Sequence, residues 1–88
     1  MNVINLRIRQ IVSDKLGVDE AQLTSETTFY EDLSIDSLDF CEVIVDIEKA
    51  FNITIPDEVC AKLKTVGSLI DYVVGQKMGR MQRSVQAV

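Results

Sequence analysis

Apolar residues recur along this chain at the spacing of helix faces, in four separate runs. Ile4, Ile8, Ile11 and Val12 form a stripe that predicts a helix over Val3–Lys15, with Leu16 packing just beyond it. Asn2 is suited to cap its start, and Gly17 sits where a helix ends in the left-handed conformation. Phe40, Val43, Ile44, Ile47, Ala50 and Phe51 share one face of a second helix, from about Asp36 to Phe51, which Asn52 ends. Pro56 and Asp57 open a short third helix reaching about Leu63, with proline early and acids in the first turn. Thr65 caps a last helix from Val66 to about Gln76, which buries Leu69, Ile70, Val73 and Val74 and leaves Tyr72 partly exposed.

The connections are unequal. Val18 to Ile35 is long and rich in Asp, Glu, Ser and Thr, and loops of that length in compact domains are often functional. Val18, Leu23, Phe29 and Leu33 are its apolar anchors, and Asp19 to Gln22 suits a short helical turn. Ile53-Thr54-Ile55 alternates like a strand but has no partner and runs into Pro56, so it is expected as an extended linker. The expected fold is all-α: a small bundle of three longer helices plus one short helix, with a long loop between the first two. Residues 1–76 make up this domain. Residues 77–88 carry Lys77, Arg80 and Arg83 with no acid, and Gly79 weakens helix formation there, so a disordered basic tail is expected.

The second helix has a feature that folding does not require. Asp36 suits its N-cap and Asp39 stands three positions on, where a capping-box acid falls. Ser37 then lies in the first turn, near solvent. Opposite the core stripe, Leu38 and Val45 point outward with Cys41 on their flank, ringed by Asp39, Glu42, Asp46 and Glu48. An apolar strip inside an acidic field reads as a docking surface. The 88-residue chain has a formal net charge of −5 and a pI near 4.5, which argues against nucleic acid and favours a basic protein partner.

Composition removes most chemistries. The chain has no His, so imidazole catalysis and His-based metal sites are excluded, and Cys41 and Cys60 do not make a zinc pattern. No catalytic residues and no metal ligands are assigned. No long apolar run predicts membrane insertion, and two cysteines without other signs of an oxidising compartment fit a cytoplasmic, monomeric protein with free thiols. Ser37 has no nearby base in sequence, so it is a poor nucleophile and a better acceptor of modification. A phosphodiester there would sit at a helix N-terminus, which favours an anion, although Asp36 and Asp39 oppose it.

Glu31-Asp32-Leu33, then Asp36-Ser37-Leu38-Asp39 after two residues, is similar to the prosthetic-group site of acyl carrier proteins. Leu16-Gly17-Val18, Phe29, Phe51 through Asp57, Thr65-Val66 and Ile70-Asp71-Tyr72 match further landmarks in order, so the resemblance covers about residues 3–76. It implies that Ser37 receives 4′-phosphopantetheine from coenzyme A, covalently, through a phosphopantetheinyl transferase. The arm's thiol would hold acyl groups as thioesters for basic-surfaced acyl-transfer and chain-elongation enzymes of fatty-acid or polyketide type. The chain would then be a non-catalytic carrier, with Asp36, Leu38, Asp39, Glu42, Val45, Asp46 and Glu48 as docking residues. An arm on Ser37 would direct an acyl chain past Phe40 and Ile44 toward Val59, Cys60 and Leu63. One departure concerns the pathway: Ser34-Ile35 stands where housekeeping fatty-acid members usually have Gly-Ala, which leaves a specialised acyl product open. Two alternatives remain: an unmodified acidic helical interaction module, and a carrier for amino acids, whose usual Gly-Gly-x-Ser pattern is absent.

Overall fold

A computed structural model describes the backbone of residues 3–87 and the side chains of residues 3–77. It contains four α-helices: α1 (Val3–Leu16), α2 (Ser37–Phe51), α3 (Asp57–Cys60) and α4 (Val66–Ala87), with a 3-10 turn at Glu20–Gln22. α1 packs against both α2 and α4. Ile8 and Val12 of α1, Val43 and Ile47 of α2, and Val66, Leu69 and Val73 of α4 are fully enclosed between them. Each such side chain contributes about 1.5–3 kcal/mol of burial. The sequence stripes therefore face inward, with some shifts. Ala50, on the expected core face of α2, is exposed, and Ile4, Ile11, Phe51 and Val74 are only half-buried, packed against the core from its edge.

The helix ends follow local chemistry. Gly17 takes φ 69° and its N–H donates to the Ser13 carbonyl at 2.8 Å, closing α1. Asn52 takes φ 55° and ψ 51°, and the amides of Asn52 and Ile53 both donate to the Glu48 carbonyl. Thr65 and Ser68 cap α4 reciprocally, each side-chain oxygen accepting from the other's amide at 3.0 Å. The expected cap at Asn2 lies outside the described residues.

The long loop is held rather than free. Leu23 and Phe29 are buried in the core, and Thr27, whose hydroxyl accepts from the Thr24 amide at 2.9 Å, is buried with them. Arg9 of α1 donates to the Glu20 carbonyl at 2.8 Å and fixes the 3-10 turn. Residues 27–29 then run antiparallel to residues 64–66: Thr28 bridges Thr65, the Phe29 amide donates to Lys64 O, and the Val66 amide donates to Thr27 O. Beside them the Gly67 amide donates to Ser25 O at 2.9 Å. A Cβ on Gly67 would come to 2.6 Å from that oxygen, so only glycine allows this approach.

Two element boundaries differ from expectation. α3 is four residues long and gives way to turns before Leu63: after Ala61 N donates to Asp57 O, the bonds tighten to Lys62 N on Val59 O and Leu63 N on Cys60 O, so the buried Leu63 is reached by a turn rather than a helix. α4 continues to Ala87 instead of stopping near Gln76, since Gln76, Lys77, Met78, Arg80 and Met81 favour helix and outweigh the glycines among them. Lys77, assigned by composition to a tail, belongs to this helix and donates from Nζ to the Phe51 carbonyl at 2.8 Å, satisfying an orphan group at the α2 C-terminus. The segment expected as a disordered tail thus has helical backbone as far as Ala87, and its side chains beyond Lys77 lie outside the described residues. Ile53 and Ile55 are buried with Thr54 exposed between them, an extended linker that alternates without joining a sheet.

Candidate functional site

Asp36 sets the N-terminus of α2. It is extended (φ −96°, ψ −179°), and its Oδ1 accepts from the Asp39 amide at 2.9 Å. The capping box is closed from this side alone: the Asp39 side chain is one methylene shorter than the Glu of a full box. The first intrahelical bond runs from Phe40 N to Asp36 O. Among the described residues, the amides of Ser37 and Leu38 have no acceptor, and Ser37 is exposed. An accessible hydroxyl thus stands beside two unspent N–H groups at the positive end of a fifteen-residue helix. That arrangement fits a phosphodiester on Ser37 Oγ. The exposed Asp36 and half-buried Asp39 carboxylates oppose an anion there, but they give a cation-bearing partner something to hold.

The segment leading into Ser37 is tightly organised. Asp32 and Thr28 bond reciprocally: Asp32 Oδ2 accepts from Thr28 N, and Thr28 Oγ1 accepts from Asp32 N, both at 2.9 Å. Ser34 takes φ 54°, the left-handed region where glycine is favoured, and Ile35 packs half-buried against the core.

Down the outer face of α2, Leu38 is 67% and Val45 43% exposed, with Cys41 and Glu42 exposed beside them. Together with Lys15 and Asp46 they line an open groove of about 380 Å³. Lys15 is the residue that sequence reasoning missed. It lies at the end of α1, and its Nζ sits 3.1 Å from Asp46 Oδ2, so Asp46 is already partnered. No local signal in the acidic run reveals a cation arriving from another helix. Glu48 faces a different way from the rest of the acids: its half-buried carboxylate accepts from the Ile55 amide at 2.7 Å and pins the linker to α3.

The residues proposed to lie along an acyl chain are distributed as follows. Phe40, Ile44 and Leu63 are buried, and Val59 and Cys60 are half-buried. Phe40 is edge-on to Phe29 at 5.0 Å between ring centroids and tilted against Tyr30 at 5.8 Å. Its ring therefore fills the core end of α2. Cys60 and Leu63 line a cavity of about 350 Å³ on the loop side, together with Thr28, Tyr30, Glu31 and neighbours of Leu63; Phe40, Ile44 and Val59 are not in its lining. Burial, followed by the nearby Asp57 and Glu48 carboxylates, pushes the Cys60 thiol up from its ordinary value. Cys60 therefore stays protonated and unreactive near neutral pH, whereas Cys41 is an exposed free thiol on the outer strip. Among the described residues, no group of three His, Cys, Asp or Glu is placed to hold a metal, and no helix is long and apolar enough to cross a membrane.

Comparison with known proteins places this geometry. Residues 6–73 match the family model for a phosphopantetheine attachment site, and Ser37 lies within that span. An acyl carrier protein from Rubrobacter xylanophilus is 50% identical over 68 residues, which cover 77% of this chain and 84% of the relative. The structure of the acyl carrier protein from Enterococcus faecalis superposes with a TM-score of 0.72 at 29% identity, over 82% of this chain and 91% of that one. A solution structure from Anaplasma phagocytophilum gives a TM-score of 0.79 at 28% identity, over 85% and 89% of the two chains. A four-helix fold, an exposed serine at the head of α2 and a family match spanning most of the sequence agree: the chain belongs to the acyl carrier protein family.

Proposed function

We propose that this protein carries acyl groups on a 4′-phosphopantetheine arm attached to Ser37 Oγ and presents them to fatty-acid or polyketide-type enzymes in the cytoplasm. The observation that carries the reading is the N-terminus of α2, where Ser37 is exposed beside the free amides of Ser37 and Leu38. When attached, the arm supplies a thiol that holds an acyl group as a thioester. The chain's own residues do the rest. The helix N-terminus offsets the negative charge of the phosphodiester, and Asp36 fixes the helix start through the Asp39 amide. Leu38, Val45 and Glu42 offer partner enzymes an apolar strip edged with negative charge, which suits basic surfaces and speeds encounter.

The protein itself does no chemistry in this reading; it is the substrate of a phosphopantetheinyl transferase. Ser34-Ile35 before the site supports a specialised acyl product as readily as a housekeeping one. Incubation with coenzyme A and a phosphopantetheinyl transferase, followed by intact-mass measurement, tests attachment. One added phosphopantetheine is expected on the wild type and none on Ser37→Ala. A wild type that gains no mass would return the chain to an unmodified acidic docking module.

A further inference from the structure

The groove beside Leu38 does not end with the acidic strip. It continues between α1 and α2, away from Ser37. One part, about 300 Å³, is lined by Arg7, Ile11, Asp14, Lys15 and Asp46. The next, about 320 Å³, is lined by Arg7, Ile11, Asp46, Lys49 and Ala50. Lys15 and Asp46 also line the groove along Leu38, Glu42 and Val45, so these spaces join in one trough. Helical spacing keeps it straight: Glu42, Asp46 and Lys49 follow one side of α2, and Arg7, Ile11 and Lys15 follow the side of α1 toward them. Ile11 and Ala50 form its apolar floor at the far end, which is why the one is half-buried and the other exposed. From Leu38 to Ala50 the trough is about 18 Å long, the length of a three-turn helix.

The trough changes sign along that length. Near Ser37 its charges are negative: Asp36, Asp39 and Glu42. In the middle Lys15 Nζ lies 3.1 Å from Asp46 Oδ2, so those two charges offset each other, and Asp14 adjoins Lys15 in sequence. At the far end Arg7 and Lys49 are exposed. Among the described residues neither cationic group makes a hydrogen bond or ion pair. Lys77 adds a further cation at the same end of α2, on the Phe51 carbonyl. A wholly basic partner would therefore gain at Glu42 and lose at Lys49, two turns or about 10.5 Å further on. A carboxylate between Arg7 and Lys49 turns that loss into a charge-assisted contact. Resting on the docking role proposed above, we propose that the trough receives an amphipathic helix of a partner enzyme. The polar flank of that helix is basic toward Ser37 and acidic at the other end, where it meets Arg7 and Lys49. Its apolar face covers Leu38, Val45, Ile11 and Ala50. The charge order fixes the direction in which the helix lies and turns away surfaces that are basic throughout.

The test uses two helical peptides as long as α2, fifteen residues, with the same leucine face. One carries lysines in its first half and glutamates in its second; the other carries lysines throughout. Each is titrated into the full chain at low salt while backbone amide shifts are followed. The mixed peptide should bind about threefold or more tighter than the all-lysine one, as two exposed ion pairs allow. Its shifts should include Arg7, Ile11, Lys49 and Ala50 as well as Glu42. The double variant Arg7→Glu, Lys49→Glu should reverse the order of the two peptides, with its thermal melt recorded to show that the fold is kept. Several results overturn the inference: the all-lysine peptide binding the wild type as tightly as the mixed one, an order unchanged in the double variant, shifts confined to residues 37–42, or binding by neither peptide. A dimer of the chain that neither peptide displaces would give the trough to a second copy and overturn it too. The peptides need no arm on Ser37. Failure of a phosphopantetheinyl transferase to add mass to the same wild-type sample overturns the carrier reading, while the titration decides the trough by itself.

Discussion

Ser34 holds φ 54° two residues ahead of the α2 cap, where a side chain costs about 1–2 kcal/mol relative to glycine. Ser34→Gly should therefore stabilise the protein by up to about 1 kcal/mol, the remainder being offset by the greater freedom of glycine in the unfolded chain. Urea denaturation checks this, and a loss of stability would show that the Ser34 side chain serves the fold. At the two cysteines, the raised thiol of Cys60 and the exposure of Cys41 give opposite reactivities. Iodoacetamide near pH 7.5 should label Cys41 first. Cys60 should lag until the pH rises above the ordinary thiol range, where its thiolate forms, or until the protein unfolds. Peptide mapping that found equal labelling would mean Cys60 is more open than the structure has it. At this scale the sequence was legible where a residue acts on its own neighbours, as Asp36 and Gly17 do. It was not legible for Glu48, because an acid on an outer face looks the same whether it meets solvent or reaches seven residues on to the Ile55 amide.

α4 meets the long loop through Gly67, whose position leaves no room for a Cβ against Ser25 O. Gly67→Ala forces two backbones apart and should cost about 1–3 kcal/mol, although alanine is the better helix former. A thermal melt unchanged by this substitution would show that the loop can move away without loss. α2 carries the second prediction of this scale. Glu42→Lys should weaken binding to a basic partner enzyme severalfold while altering stability by less than about 0.5 kcal/mol, and added salt should weaken the wild-type complex. Affinity independent of salt would contradict an electrostatic docking face. Asp46→Lys is less clean, because it also places a second cation against Lys15. The elements themselves could be read from periodicity and caps: α1, α2 and the start of α4 fall where the apolar spacing puts them. The ends of α3 and α4 could not be read. α3 stops where its hydrogen bonds tighten into turns at Lys62 and Leu63, and α4 continues through Gly75 and Gly79 on the propensity of the residues between and beyond them.

The whole molecule is a small bundle whose loop is pinned by residues far apart in sequence. The pairing of residues 27–29 with 64–66 has no signature in either segment alone, so the loop-side cavity that it floors was out of reach of the sequence. The aromatic cluster of Phe29, Tyr30 and Phe40 was likewise visible only as three separate residues. Small domains are marginally stable, so cargo that leaves water should be felt by the entire fold. Each buried CH₂ returns roughly 0.8 kcal/mol, and a medium-length acyl chain on the arm should raise the melting temperature above that of the bare-arm form. A profile flat against chain length would place the cargo in solvent. The central claim is that Ser37 bears an arm whose thiol holds an acyl group, and one measurement addresses it most directly. The protein is loaded with an acyl coenzyme A by a phosphopantetheinyl transferase, treated with neutral hydroxylamine, and its intact mass is followed with the modified peptide mapped. The account predicts a single acyl-phosphopantetheine adduct on the Ser37 peptide that loses its acyl part to hydroxylamine and keeps the phosphopantetheine. No adduct, or an acyl group found on Cys41 instead, would contradict it.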